Sequence, residues 1–140
     1  MDRIEDCASF VMSKVAQAVS RRARDLLAPH DVTPAQYAVL KILAEENGKP
    51  LGEVSERLVL DAATVTGLAD RLEAAGLVAR HADTGDRRVS RLRLTTRARR
   101  LMPALDAAMD TLNAEVGARL GRESSRIFAA LRRLTEGRGA

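Results

Sequence analysis

The sequence predicts a mainly helical protein that carries one small β-hairpin, and three observations lead there. Between Asp61 and Gly76, the residues Val65, Leu68, Ala69 and Leu72 recur at helical spacing and make one apolar stripe. Asp61 is a natural N-cap for that helix, and Gly76 supplies the positive-φ residue that ends many helices. Next, residues 77–82 and 89–95 read as two strands, the second with Leu92 and Leu94 alternating with Arg91 and Arg93. Asp83, Thr84, Gly85 and Asp86 are turn residues between them, with Arg87 and Arg88 just beyond. Third, long apolar stripes flank this unit on both sides. Helix, strand, basic turn, strand is the order of a winged helix. The predicted fold class is therefore a winged helix-turn-helix with long N- and C-terminal helices.

The elements follow in chain order. Residues 3–28 read as one long helix, with Ile4, Cys7 or Ala8, Val11, Val15, Ala18 or Val19, Arg22 and Leu26 stepping by three and four until Pro29. Thr33 then opens a helix with Pro34 at its first position and Gln36 three residues on, a capping box with proline where its missing amide costs nothing. Tyr37, Leu40, Ile42 and Leu43 give that helix its apolar side, and Asn47-Gly48 closes it. A short helix from about Gly52 to Leu58 points Val54 and Leu58 inward, and residues 59–61 turn into the helix that starts after Asp61. Beyond the hairpin, Thr95 or Thr96 caps a long section in which Leu101, Leu105, Ala108, Leu112, Val116 and Leu120 repeat at near-heptad spacing. Pro103 removes a helical hydrogen bond and predicts a bend or a late start there. Gly121 breaks the run, and residues 123–136 form a last helix around Ile127, Leu131 and Leu134.

At 140 residues the chain is expected to be one domain, with a lobe over residues 33–95 between flanking helices at 3–28 and 97–137. Apolar residues make up 46% and charged residues 30%, and no apolar run approaches a membrane span. The first residues show no signal-peptide pattern, so the expectation is a cytoplasmic protein without a membrane partner. The formal charge of +4 is unevenly placed. Residues 77–100 hold eight arginines against Asp83 and Asp86, the footprint of a polyanion contact. A preference for arginine, 20 against 3 lysines, explains the residue type but not the clustering. Catalysis is not expected: His30, His81 and Cys7 offer no metal-ligand spacing, and no glycine-rich phosphate loop is present. No cofactor and no metal follow from these residues.

The outer face of the 61–76 helix, through Ala63, Thr66, Gly67 and Asp70, is small and polar, with Thr64 and Arg71 on its shoulders. A face of small residues can approach a DNA groove closely. The runs ATVTGLADRLEAAGLV and DTGDRRVSRLRLT, with VTPAQYAVLKIL upstream, resemble the MarR family of bacterial transcription regulators. The resemblance implies a homodimer built by the terminal helices and binding double-stranded DNA at a palindromic operator, as a repressor tuned by a small aromatic or phenolic effector. It places Ala63, Thr64, Thr66, Gly67 and Arg71 on the recognition helix in the major groove. It places Asp86, Arg87, Arg88, Arg91 and Arg93 in the wing, with Arg87 or Arg88 in the minor groove and Asp86 orienting it. The family's Asp-x-Arg spacing favours Arg88, and Arg91 and Arg93 are then expected on flanking phosphates. One branch of the family senses hydroperoxides through a first-helix cysteine near tyrosines. Here Tyr37 stands at one tyrosine position, but Pro34 occupies the other, and Cys7 reads as a small apolar residue. The rival readings are an effector-independent architectural DNA-binding protein and a winged-helix protein-interaction module.

Overall fold

The strongest local signal in the chain is also met in full. In the computed structural model, which describes residues 1–136, the Thr33 hydroxyl accepts from the Gln36 amide and the Gln36 side chain accepts from the Thr33 amide. This closed capping box opens helix α2, Pro34–Glu45. Helix α1, Ala8–Leu27, precedes it, and a single 3-10 turn over Ala28–His30 joins the two. Strand β1, Lys49–Pro50, and helix α3, Leu51–Leu58, follow. Helix α4 runs Ala62–Ala74, strands β2 and β3 span Val78–Ala82 and Ser90–Leu94, and helices α5 and α6 span Thr96–Leu120 and Ser124–Thr135. The fold is a winged helix-turn-helix with long helices at both ends.

One core holds this arrangement together. Leu40 and Leu43 of α2, Val54 of α3, Val65 and Leu72 of α4, Leu92 of β3 and Leu105 of α5 are all fully buried in a single cluster. The stripe expected on α4, Val65, Leu68, Ala69 and Leu72, is its buried face without exception. Fully burying a leucine is worth about 1.5–3 kcal/mol, so this face alone fixes the helix on the core. At the back of the lobe, Tyr37 donates its hydroxyl to Asp106 Oδ1 at 2.9 Å, and Lys41 Nζ reaches both oxygens of Asp106 at 3.0 Å. Burial pushes Asp106 up, but hydrogen bonds from Lys41 and Tyr37 outweigh it and hold the carboxyl below its usual range. Burial and then the Asp106 bond push the Tyr37 hydroxyl well up.

Four expectations change. The first helix is not continuous from residue 3: Ile4–Asp6 form a 3-10 turn, and Cys7, in extended backbone at the N-cap of α1, separates it from the helix. Cys7 is thus a half-buried cap residue rather than a member of the stripe. The hairpin is not alone, because β1 pairs antiparallel with β3 and makes a sheet of order β1-β3-β2. A two-residue strand containing a proline has no sequence signature; Pro50 is tolerated at the edge, where no ladder donor is needed. Of the two effects expected of Pro103, the late start does not occur, since α5 begins at Thr96, where the Thr95 hydroxyl caps the Ala98 amide, and continues through the proline. Finally, Leu112 of the terminal stripe is already buried inside this chain, against α1, whereas α6 buries none of its residues. The end of the last expected segment, residue 137, lies outside the described residues.

Candidate nucleic-acid interface

Helix α4 presents the face opposite its buried stripe. Asp61 caps it, its carboxylate accepting from the Thr64 amide at 2.7 Å and from the Thr64 hydroxyl at 2.9 Å. Those bonds, the backbone one first, hold the Asp61 carboxyl below its usual range. The Thr64 hydroxyl is therefore engaged at the helix start rather than free. Ala63, Thr66 and Arg71 are exposed, and Gly67 is half-buried with open space where a Cβ would project. These residues share one solvent-facing side of the helix.

The wing extends from the same lobe. Strands β2 and β3 pair in register from Val78 with Leu94 to Ala82 with Ser90. The register turns Leu92 and Leu94 into the core and sets Arg91 and Arg93 on the opposite face of β3. At the tip, Asp86 accepts from the Arg88 amide at 3.0 Å, from Arg88 Nε at 3.1 Å and from its Nη2 at 3.2 Å. The Arg88 side chain is nonetheless 91% exposed, so its guanidinium is oriented yet open. Arg87 is exposed beside it. This is the geometry that a carboxylate orienting a groove arginine requires.

The other arginines divide in a way that charge counting does not show. Arg91 turns inward, donating from Nε to Asp83 and from Nη1 to the Gly48 carbonyl at 2.9 Å. Arg93 donates to His81 Nε2 across the hairpin at 3.2 Å and remains exposed. Arg80 reaches α4, with Asp70 at 2.6 Å and the Thr66 carbonyl at 3.2 Å, while Glu73 accepts its backbone amide. Arg97 donates to the Ala75 carbonyl at 2.8 Å and Arg99 to the Leu94 carbonyl at 3.0 Å. Of the eight arginines, then, Arg91 ties the wing to the bend at Gly48, Arg80, Arg97 and Arg99 tie α4, the sheet and α5 to one another, and Arg87, Arg88, Arg93 and Arg100 make no such tie and are exposed. Sequence reasoning missed Arg80, Asp83 and Arg97 as structural members. For Asp83 a signal exists in the Asp-Thr-Gly-Asp run, where an aspartate accepts from backbone amides two and three residues on. For Arg80 and Arg97 no spacing could have shown it.

Among the described residues no group of three or more His, Cys, Asp or Glu side chains could hold a metal ion, and no helix is long and apolar enough to cross a membrane.

Comparison with known proteins places this geometry. Residues 32–90, from the end of the 3-10 turn to the start of β3, match the model of the MarR family. The HTH-type transcriptional regulator TtmR of Methylorubrum extorquens is 40% identical over 108 residues, covering 77% of this chain and 55% of that protein. The chain therefore spans little more than half the length of that relative. The transcriptional regulator HosA of Escherichia coli is 31% identical over 101 residues, 72% of this chain and 75% of that protein. Among solved structures, PcaV of Streptomyces coelicolor, in complex with its natural ligand, superposes with a TM-score of 0.85 at 28% identity, covering 98% of this chain and 97% of that one. CouR of Rhodococcus jostii RHA1 bound to p-coumaroyl-CoA gives 0.84 at 26% identity, over 97% of this chain and 94% of that one. CouR bound to a 23-mer DNA duplex shares the fold, with a TM-score of 0.88 at 23% identity over 97% of this chain and 96% of that one. Sequence match, element order and wing geometry agree: the chain belongs to the MarR family, with its winged helix-turn-helix fold.

Proposed function

We propose that this protein is a DNA-binding transcription regulator, a homodimeric repressor of a palindromic operator whose affinity is tuned by a small aromatic or phenolic effector. The observation that carries the DNA reading is the pairing of two exposed elements on one lobe. The outer side of α4 offers Ala63, Thr66, Gly67 and Arg71, and the wing tip offers an arginine oriented by Asp86 yet open to solvent. Helix α4 enters the major groove, where base edges carry a distinct donor and acceptor code. Arg88 enters the adjacent minor groove, with Arg87 and Arg93 on flanking phosphates. Gly67 supports the close approach. A glycine inside a helix costs about 1 kcal/mol against alanine, and nothing within 4 Å in this chain requires its missing Cβ.

The dimer reading rests on apolar surface that one chain leaves uncovered. Val11, Met12 and Val15 are exposed along α1, and Leu134 of α6 is 71% exposed. A two-fold dimer would bury these residues and set two α4 helices one DNA turn apart, as palindromic half-sites demand. The effector reading rests on PcaV, solved with its natural ligand, and CouR, solved with p-coumaroyl-CoA.

One experiment tests these claims together. Fluorescence anisotropy on a duplex selected by the protein from random DNA, in a salt series, should show a steep salt dependence that a protein-interaction module would lack. Arg71→Ala should cost about 1–3 kcal/mol per half-site and relax sequence preference. Arg88→Ala should lose more on A·T-rich flanks, whose narrow groove concentrates negative potential. Val15→Glu, outside the chain's own core, should give a folded monomer by light scattering. A wild-type monomer at micromolar concentration would sink the dimer. Release from DNA by none of a panel of aromatic acids, phenols and their CoA esters would favour an effector-independent architectural protein.

A further inference from the structure

A continuous run of hydrogen bonds joins the wing tip to the body of the lobe. It begins at Gly48, in the bend between α2 and β1, where φ of +81° suits glycine. The Gly48 carbonyl accepts from Arg91 Nη1, and Arg91 Nε donates to Asp83 Oδ1. The second oxygen of Asp83 accepts the amides of Gly85 at 2.9 Å and Asp86 at 3.0 Å. Asp86, so placed, accepts three times from Arg88. Side-chain exposure is lowest in the middle of this run, 36% at Arg91 and 20% at Asp83, and climbs beyond it to 40% at Asp86 and 91% at Arg88. The Arg91 hydrogen bond, followed by those from the Gly85 and Asp86 amides, holds the Asp83 carboxyl below its usual range.

Residues 83–89 between β2 and β3 contain little that could pack. Val89, half-buried, is their one aliphatic side chain beyond the Thr84 methyl. A hairpin loop of that kind would be ordered only on binding, and its ordering would subtract from affinity. Here ion pairs and amide bonds order it beforehand.

We propose that Asp83 and Arg91 are positioning residues that pre-order the wing, so that the Arg88 guanidinium meets the minor groove already aligned. Arg91 then contacts no phosphate, because its guanidinium is turned into the protein onto Asp83 and the Gly48 carbonyl, whereas that of Arg88 stays open. This inference rests on the reading of the wing as a DNA-binding element.

A double-mutant cycle tests it, read by anisotropy on the selected duplex across a salt series. Asp83→Asn keeps an oxygen for the two amides but loses the charge pairing, and Arg91→Met keeps the aliphatic stem on β3. Each should weaken binding about three- to tenfold in wild-type background, leave the salt slope unchanged, and erode the preference for A·T-rich flanks. In an Arg88→Ala background neither should weaken binding further, and Arg91→Lys should restore part of the loss. Without DNA, exchange of the Gly85 and Asp86 amides should accelerate in both variants. A phosphate contact by Arg91 would instead flatten the salt slope by about 2 per dimer in Arg91→Met, which overturns the proposal. Full additivity with Arg88→Ala, or unchanged amide exchange, overturns it too. If Arg88→Ala itself binds like wild type while Arg71→Ala does not, the wing reading fails and this inference with it.

Discussion

Helix α4 and the wing form one exposed surface, yet different forces hold them. Four side chains of α4 are buried in the core, so apolar packing fixes its position and its caps only tune its ends. The tip of the wing has no such anchor. Asp83, Asp86, Arg88 and Arg91 fix it through charge-assisted hydrogen bonds, most of them near solvent. Apolar burial is non-directional and insensitive to salt and to moderate acid; hydrogen bonds to carboxylates are directional and depend on their ionisation. The difference suits the role proposed for each element. A helix that reads bases needs a rigid seat, whereas an arginine that follows a groove needs orientation while its charge stays exposed.

The largest expected effect sharpens the helix side of this contrast. Leu72→Ala removes a fully buried side chain between α4 and the core and should cost about 2–5 kcal/mol of stability. Urea unfolding should show it as a shift in midpoint at unchanged slope, and a cost below about 1 kcal/mol would mean that the seat of α4 is looser than its burial implies.

A smaller effect separates stability from recognition on the same helix. Gly67→Ala should stabilise the fold by about 0.5–1 kcal/mol, because alanine favours the helix and its Cβ meets no atom within 4 Å. The same change should weaken DNA binding if that side approaches the groove closely. Gain in thermal midpoint together with unchanged affinity would show that α4 stands further from the DNA than proposed.

The subtlest effect lies in the wing and depends on pH. Asp83 and Asp86 are both held below the usual carboxylate range, Asp83 by the Arg91 bond first and Asp86 by the Arg88 side chain first. A lowered carboxylate contributes order that is present above its unfolded value and lost as pH falls through its folded value. Mild acid below the ordinary aspartate range should therefore speed exchange of the Gly85, Asp86 and Arg88 amides beyond the general pH trend. The Leu68 and Leu72 amides of α4 should keep their protection. Parallel loss of protection in both elements would erase the contrast.

Much of this architecture is legible in residue order because its signals are local. Thr33, Pro34 and Gln36 sit within one helical turn, as do Asp61 and Thr64, and a cap needs nothing more distant. The alternation of Leu92 and Leu94 with arginines shows which face of β3 is buried, and the Asp86-x-Arg88 spacing places the orienting carboxylate beside its arginine. What residue order left undecided are contacts between elements far apart in the chain. Arg91 and Arg93 look equivalent on one strand face, yet the first meets Gly48, 43 residues away, and the second stays at the surface. Arg80 meets Asp70 only because β2 folds back along α4, and β1 exists only because β3 offers it an edge. Leu112 and Leu134 belong to similar apolar stripes, but α1 covers the first and nothing among the described residues covers the second. Charge and periodicity show that a residue needs a partner; which partner it finds depends on the packing of helices and strands in space.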